Sequence, residues 1–288
     1  MSDARIIDRG YRAYDGPRLG QRGAMRSLVR HTARAVLGIR QPARQKLVAL
    51  LAAVIAYLPA VVFVGLAALI PDERVQENFL PTYGEYYSFI TSALVVFAAF
   101  VAPEALCPDR RTGLLGMYLA APLTRGTYVA SKLAAVIGLL SLATLGPPLL
   151  MLVANVLQNM GPDSPIDVLV LLLRIVVCGV LVAVQYTAVS LGVSSLTDRR
   201  AVASAGTLLL IVVTGAVVGA LVGGVGMSRS LLGFNLMFGP FELVRRVYGE
   251  VGSEPSIPTW VLGLQQAGWT TLGLGVLWWR YRRLQVTR

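Results

Sequence analysis

Charge is what this chain has least of. Asp, Glu, Lys and Arg make up only 14% of its 288 residues, against roughly one quarter in an ordinary soluble domain. Histidine is nearly absent, and the one present, His31, precedes every apolar run, which removes imidazole-based metal chemistry. The two cysteines, Cys107 in a polar loop and Cys178 within an apolar run, are poorly placed to pair and do not form a metal-site spacing. No Asp or Glu lies well inside an apolar run, so the converging acids that an intramembrane enzyme needs are missing. A G-x-x-x-x-G-K-[ST] phosphate loop is also missing, so the chain cannot hydrolyse ATP by that machinery.

What is present is apolar: 55% of the residues are hydrophobic. Six runs are long enough to cross a hydrocarbon core of about 30 Å as helices. They fall near 47–70, 86–106, 129–156, 166–191, 203–225 and 258–279. The chain thus divides into a polar N-terminal segment, 1–46, and an all-α membrane domain, 47–288. A cleaved leader is not expected ahead of the first run, because the residues preceding it are polar.

The net charge of +11 does not indicate a nucleic-acid partner, because the cations flank apolar runs and no aromatic-basic RNA motif accompanies them. Their placement instead sets the orientation. Alternate loops and both ends hold 21 of them, the opposite loops hold Arg74, Arg229, Arg245 and Arg246, and Arg174 is inside a run. By the positive-inside bias the rich side, with both termini, is cytoplasmic. Trp260 and Trp278, 18 residues apart, would sit about 27 Å apart on a helix, the spacing of two interfacial aromatic belts. Tyr83, Tyr86 and Tyr87 are expected at the outer interface.

Two polar segments stand out. Arg18, Arg22, Arg26, Arg30 and Arg34 recur every four residues, a basic stripe on a helix whose other face carries Met25, Leu28, Val29 and Val36. This fits an amphipathic helix lying on the anionic inner leaflet; a solvated basic tail is the plainer alternative. In the loop 104–128, Asp109, Arg110, Arg111 and Thr112 head a short amphipathic stretch that Pro122 stops, and Thr124 can cap the helix that follows. The residues alone fit a helix receiving force from a cytoplasmic partner and an ordinary connecting loop equally well.

The order Glu104, then Arg111-Thr112-Gly113, a short apolar helix, and Pro122-Leu123-Thr124-Arg125 with Tyr128 and Lys132 resembles the ABC-2 type permeases. The opening Tyr11, Arg12, Tyr14, Gly16, Pro17, Arg18, Leu19 and Gly20 resembles a subgroup of bacterial permeases that begin this way. The resemblance implies a type V exporter-like membrane domain in the bacterial cytoplasmic membrane, a homodimer or a pair of homologous permeases, and a separate ATPase. ATP and Mg would be bound by that ATPase, and no cofactor by this chain. Arg22, Arg26, Arg30 and Arg34 would lie on the connecting helix. Glu104, Asp109, Arg110, Arg111, Thr112, Gly113 and Arg125 would belong to the coupling region. Export rather than import follows from the resemblance alone. A non-transporting sensor or scaffold subunit and, less readily, a lipid-modifying enzyme are the alternatives.

Within the runs, Arg174 shares a helical face with Cys178, Leu181 and Gln185. Arg174 and Gln185 could line a substrate path, or Arg174 could snorkel toward Asp167 or Asp163. Gly215, Gly219 and Gly223 form a small-residue ridge for close helix contact, within the chain or with a second protomer. Pro59, Pro147 and Pro148 are expected to kink their helices. Between the last two runs, 234–248 is amphipathic and broken at Gly239-Pro240, with Glu242, Arg245 and Arg246 on its polar side; it is expected to cap the outer mouth.

Overall fold

The computed structural model describes residues 19–39, 43–69, 81–120, 122–158, 160–162 and 164–284. The opening motif up to Arg18, and Arg40, Arg74, Asp163 and Arg288, lie outside the described residues. Among the described residues every regular element is helical. Helix α1, Gly20–Val36, precedes α2, Ala43–Leu69. Short helices α3, Tyr83–Phe89, and α4, Thr91–Val96, then lead through a π-turn and a 3-10 turn to α5, Cys107–Arg111. After α6, Leu115–Ala120, come the long helices α7, Arg125–Leu157, α8, Pro165–Ser194, and α9, Arg200–Gly219. A 3-10 turn, Arg229–Phe234, α10, Gly239–Tyr248, and α11, Thr259–Arg283, complete the order.

Among the described residues, five stretches are long and apolar enough to cross a membrane: Lys46–Leu69, Thr91–Arg111, Arg125–Leu157, Pro165–Ser194 and Arg200–Gly224. The expected sixth corresponds to α11, whose 25 residues span about 37 Å but whose composition is less apolar. Gln265 and Gln266 lower it, and both are buried in the first half of α11, where their amide nitrogens donate to the Ser230 and Gly233 carbonyls. Trp260 and Trp278 are exposed near the two ends of this helix.

The second span is not the continuous helix expected over 86–106. Pro103 removes a backbone donor, and the chain passes through a π-turn at Phe97–Val101 and a 3-10 turn at Ala102–Ala105. In hydrocarbon, irregular backbone survives only where protein satisfies it. Ser190 donates to the Ala98 carbonyl at 2.5 Å and Arg200 to the Phe100 carbonyl at 3.1 Å. This span is accordingly the most buried of the five, while Lys46–Leu69 and Arg200–Gly224 are the most exposed. By contrast α2 runs through Pro59, and α7 through Pro147 and Pro148, as unbroken helices.

Helices α8 and α11 meet at backbone distance. A Cβ on Gly192 would lie 2.8 Å from the Gly273 carbonyl oxygen, and one on Gly273 would lie 2.4 Å from the Ala188 carbonyl oxygen. Such contact lets dispersion forces act between backbones where lipid supplies no hydrophobic drive. The expected ridge behaves differently. Gly215 faces the Asn235 side chain, whereas a Cβ on Gly219 or Gly223 would meet nothing within 4 Å among the described residues.

Candidate functional site

The basic end of the molecule converges on one buried ion pair. Helix α5 ends in a Schellman turn: the Leu114 amide donates to the Asp109 carbonyl and the Gly113 amide to that of Arg110. Gly113 takes φ +69°, a conformation that disfavours any residue with a Cβ. That turn fixes α5 so that Asp109 points inward, where Lys132 Nζ lies 2.6 Å from its Oδ2 and both side chains are at least nine-tenths buried. The Tyr128 hydroxyl donates to the same oxygen at 2.7 Å.

The chemistry explains why α7 enters the site as it does. Thr124 and Thr127 form a reciprocal capping box at its start, and Tyr128 and Lys132, one turn apart, then face Asp109 together. The Lys132 ammonium also lies over the Tyr118 and Tyr128 rings, 5.9 and 5.5 Å from their centroids. Tyr118 belongs to α6, so the short helix is seated on the pair. Burial, and then the Asp109 charge, raise the Tyr118 hydroxyl above its ordinary pKa, so it stays protonated. Tyr281 near the end of α11 packs on Tyr128 at 5.7 Å, and Arg125 donates to the Arg282 carbonyl at 2.7 Å.

A second ion pair lies beside the first. Glu104, buried, pairs with Arg200 at 2.9 Å. Arg110 donates to the Ser195 carbonyl and, at 2.9 Å, to that of Thr197. Cys107, also buried and unpaired, has its Sγ 4.0 Å from the Ser194 carbonyl oxygen. The loop after the second span is thereby fastened to the loop after the fourth.

These contacts divide the expected coupling residues. Glu104, Asp109 and Arg110 turn inward and bind other parts of the chain. Arg111, Thr112, Gly113 and Arg125 are exposed. Helix α6 has no buried residue, and Met117 is 62% exposed. Lys132, Tyr128 and Arg200 complete the hub. The first two stood in the sequence motif, but Arg200 looked like ordinary flanking charge and nothing local marked it.

Helix α1 does not lay its apolar face in lipid. Leu28, Thr32 and Val36 are buried against the protein, chiefly along α7, and Arg22, Arg26, Arg30 and Arg34 face outward.

The opposite end is closed by a polar network. Arg174 donates to the Tyr248 carbonyl at 2.9 Å, at the C-terminus of α10 where a cation suits the helix dipole. It does not reach Asp167, which instead takes part in the Ser164 N-cap of α8. Gln185 donates to Gln266 at 2.6 Å, and Gln266 to the Gly233 carbonyl at 2.7 Å. Gln265, Trp269 and Tyr186 donate to the carbonyls of Ser230, Phe234 and Leu236. Four side-chain donors thus hold one irregular segment between the last two long helices. Glu242, expected on a polar outer face, is instead 2% exposed and accepts from Arg246 and from the Ser253 and Glu254 amides. Tyr86 and Tyr87, expected at the interface, are fully buried: Tyr86 donates to the Ala56 carbonyl and Tyr87 packs on Tyr248. The segment is capped by protein, which displaces both rings from lipid.

Fold and site together define a polytopic, all-helical membrane protein whose loops at one end form a shared hub. The family described as ABC-2 family transporter protein matches residues 43–283. That is most of the chain, and the chain belongs to that family: it is a permease, the membrane component of an ABC transporter. Permeases of this family generally work with a separate ATPase subunit. Helix α1 precedes the matched region. Among curated proteins, none matches the chain.

Proposed function

We propose that the chain is the permease of an ATP-driven exporter of a lipophilic or amphiphilic compound. It works as a dimer, and a separate ATPase docks on its basic end, which faces the cytoplasm of a bacterial cell. The observation that carries this reading is α6: a short helix with no buried residue, held by the Gly113 turn and seated through Tyr118 on the Asp109–Lys132 pair. A force applied to α6 meets a rigid base in contact with α7 and α11 rather than a slack loop. The positive-inside bias supports the orientation. The open positions at Gly219, the last residue of α9, and at Gly223 in the π-turn that follows it suit a second protomer.

Arg111→Glu combined with Met117→Asp tests the docking, since both residues are exposed and neither supports the hub. The expected result is normal membrane levels with loss of ATPase co-purification from native membranes. Undiminished co-purification would remove α6 from the interface. Accumulation assays on a deletion strain across lipophilic compounds test export.

A further inference from the structure

We propose that the basic face of α1 and the exposed start of α2 together bind an anionic phospholipid of the cytoplasmic leaflet, its phosphate on the arginines of α1 and an acyl chain along α2. Because α1 docks on the protein by Leu28, Thr32 and Val36, its arginines are left facing outward. Arg22, Arg26, Arg30 and Arg34 have no acidic partner among the described residues, and α1 itself contains no Asp or Glu. Together with His31 they line an open recess along that face of α1.

Next to this recess runs a groove of about 500 Å³ with the opposite character. Leu37, Ile39, Leu47 and Leu50 line it, with Lys46 as the one charged residue among the described ones. Ile39 lines both spaces, so the cations give way directly to an apolar channel. Leu47 and Leu50 are 62% and 61% exposed at the start of the span Lys46–Leu69, at the depth where acyl chains begin.

An acidic protein surface would satisfy the arginines but leave this groove without a ligand. A neutral lipid would fill the groove but leave the cations unpaired. An anionic phospholipid does both: guanidinium groups fork onto phosphate oxygens, and the chain covers the leucines. The proposal rests on membrane embedding and on the orientation given above, and is independent of the transported compound.

Native mass spectrometry of the full chain in detergent, with dioleoylphosphatidylglycerol or dioleoylphosphatidylcholine added at equal mole fraction, reads the site without any ATPase or transport. Retention of phosphatidylglycerol is expected to exceed that of phosphatidylcholine by about tenfold, from several cations near one anionic headgroup. Arg30→Ala/Arg34→Ala/Lys46→Ala should erase the preference, and Leu50→Trp should lower retention with every arginine in place. Equal retention of the two lipids by the unaltered chain overturns the proposal, as does a preference that survives the triple substitution. Displacement by glycerol phosphate at the lipid's own concentration would show that the groove contributes nothing, and overturns it too. If the triple variant keeps its phosphatidylglycerol but loses a co-purifying ATPase, the face belongs to a protein partner and the proposal fails.

Discussion

Lys132→Met removes the ammonium from the hub while keeping most of the side-chain volume. The Asp109 carboxylate is then left almost wholly buried, with the Tyr128 hydroxyl as its only side-chain donor among the described residues. Breaking a buried pair by deleting one partner costs about 3–5 kcal/mol, because the remaining charge keeps its desolvation penalty. Asp109→Asn should cost a similar amount by stranding the ammonium. The double variant buries neither charge, and replacing such a pair outright is often close to neutral. The two losses should therefore cancel rather than add. Thermal unfolding of the detergent-solubilised chain, followed by size-exclusion chromatography, measures this: each single variant should melt about 5–10 °C lower, and the double near the unaltered protein. Limited proteolysis across 113–124 should rise in the single variants as Tyr118 loses its seat. Additive losses in the double variant, or single variants melting within about 1 °C of the unaltered protein, would refute the hub as an electrostatic unit.

Gly273→Val should force α8 and α11 apart, costing about 1–3 kcal/mol by overpacking, and should reduce the monodisperse fraction after extraction; Gly219→Val should leave the isolated protomer's melting temperature unchanged. Gly113→Val imposes a left-handed conformation on a branched residue, worth about 1–2 kcal/mol, and should weaken ATPase association without lowering membrane levels. Arg174→Leu deletes a charged donor to the Tyr248 carbonyl, about 1.5–3 kcal/mol, and should speed hydrogen exchange over 239–248 while exchange over α6 is unchanged. Unchanged exchange there would mean that α10 is held by its other contacts.

Much of the helical order was legible because apolar runs and flanking cations are local signals. The Thr124 cap was equally readable, since it depends on a few consecutive residues, whereas Gly113 reads in the sequence as the start of an amphipathic stretch and not as the turn that it makes. Whatever depended on pairing across the chain was not. Nothing near Arg200 says that it reaches Glu104, and nothing near Ser190 says that its hydroxyl satisfies the Ala98 carbonyl of a broken span. The polarity of Gln265 and Gln266 counts against a membrane helix until their partners on the irregular segment are known. The glycine ridge at Gly215, Gly219 and Gly223 drew attention by its regularity, yet α8 and α11 come to backbone distance at Gly192 and Gly273, which share no local pattern.

Helix α11 touches both ends of the molecule. Tyr281 packs against the hub tyrosine, and Gln266, 15 residues earlier and about 22 Å away along the axis, holds the Gly233 carbonyl of the segment between α9 and α11. Between them the helix is unbroken and pinned to α8 at Gly273. A rod fixed at its middle and loaded at one end behaves as a lever, so tilting at the hub carries the opposite end the other way. The glutamines that latch the segment between α9 and α11 are mounted on that opposite arm.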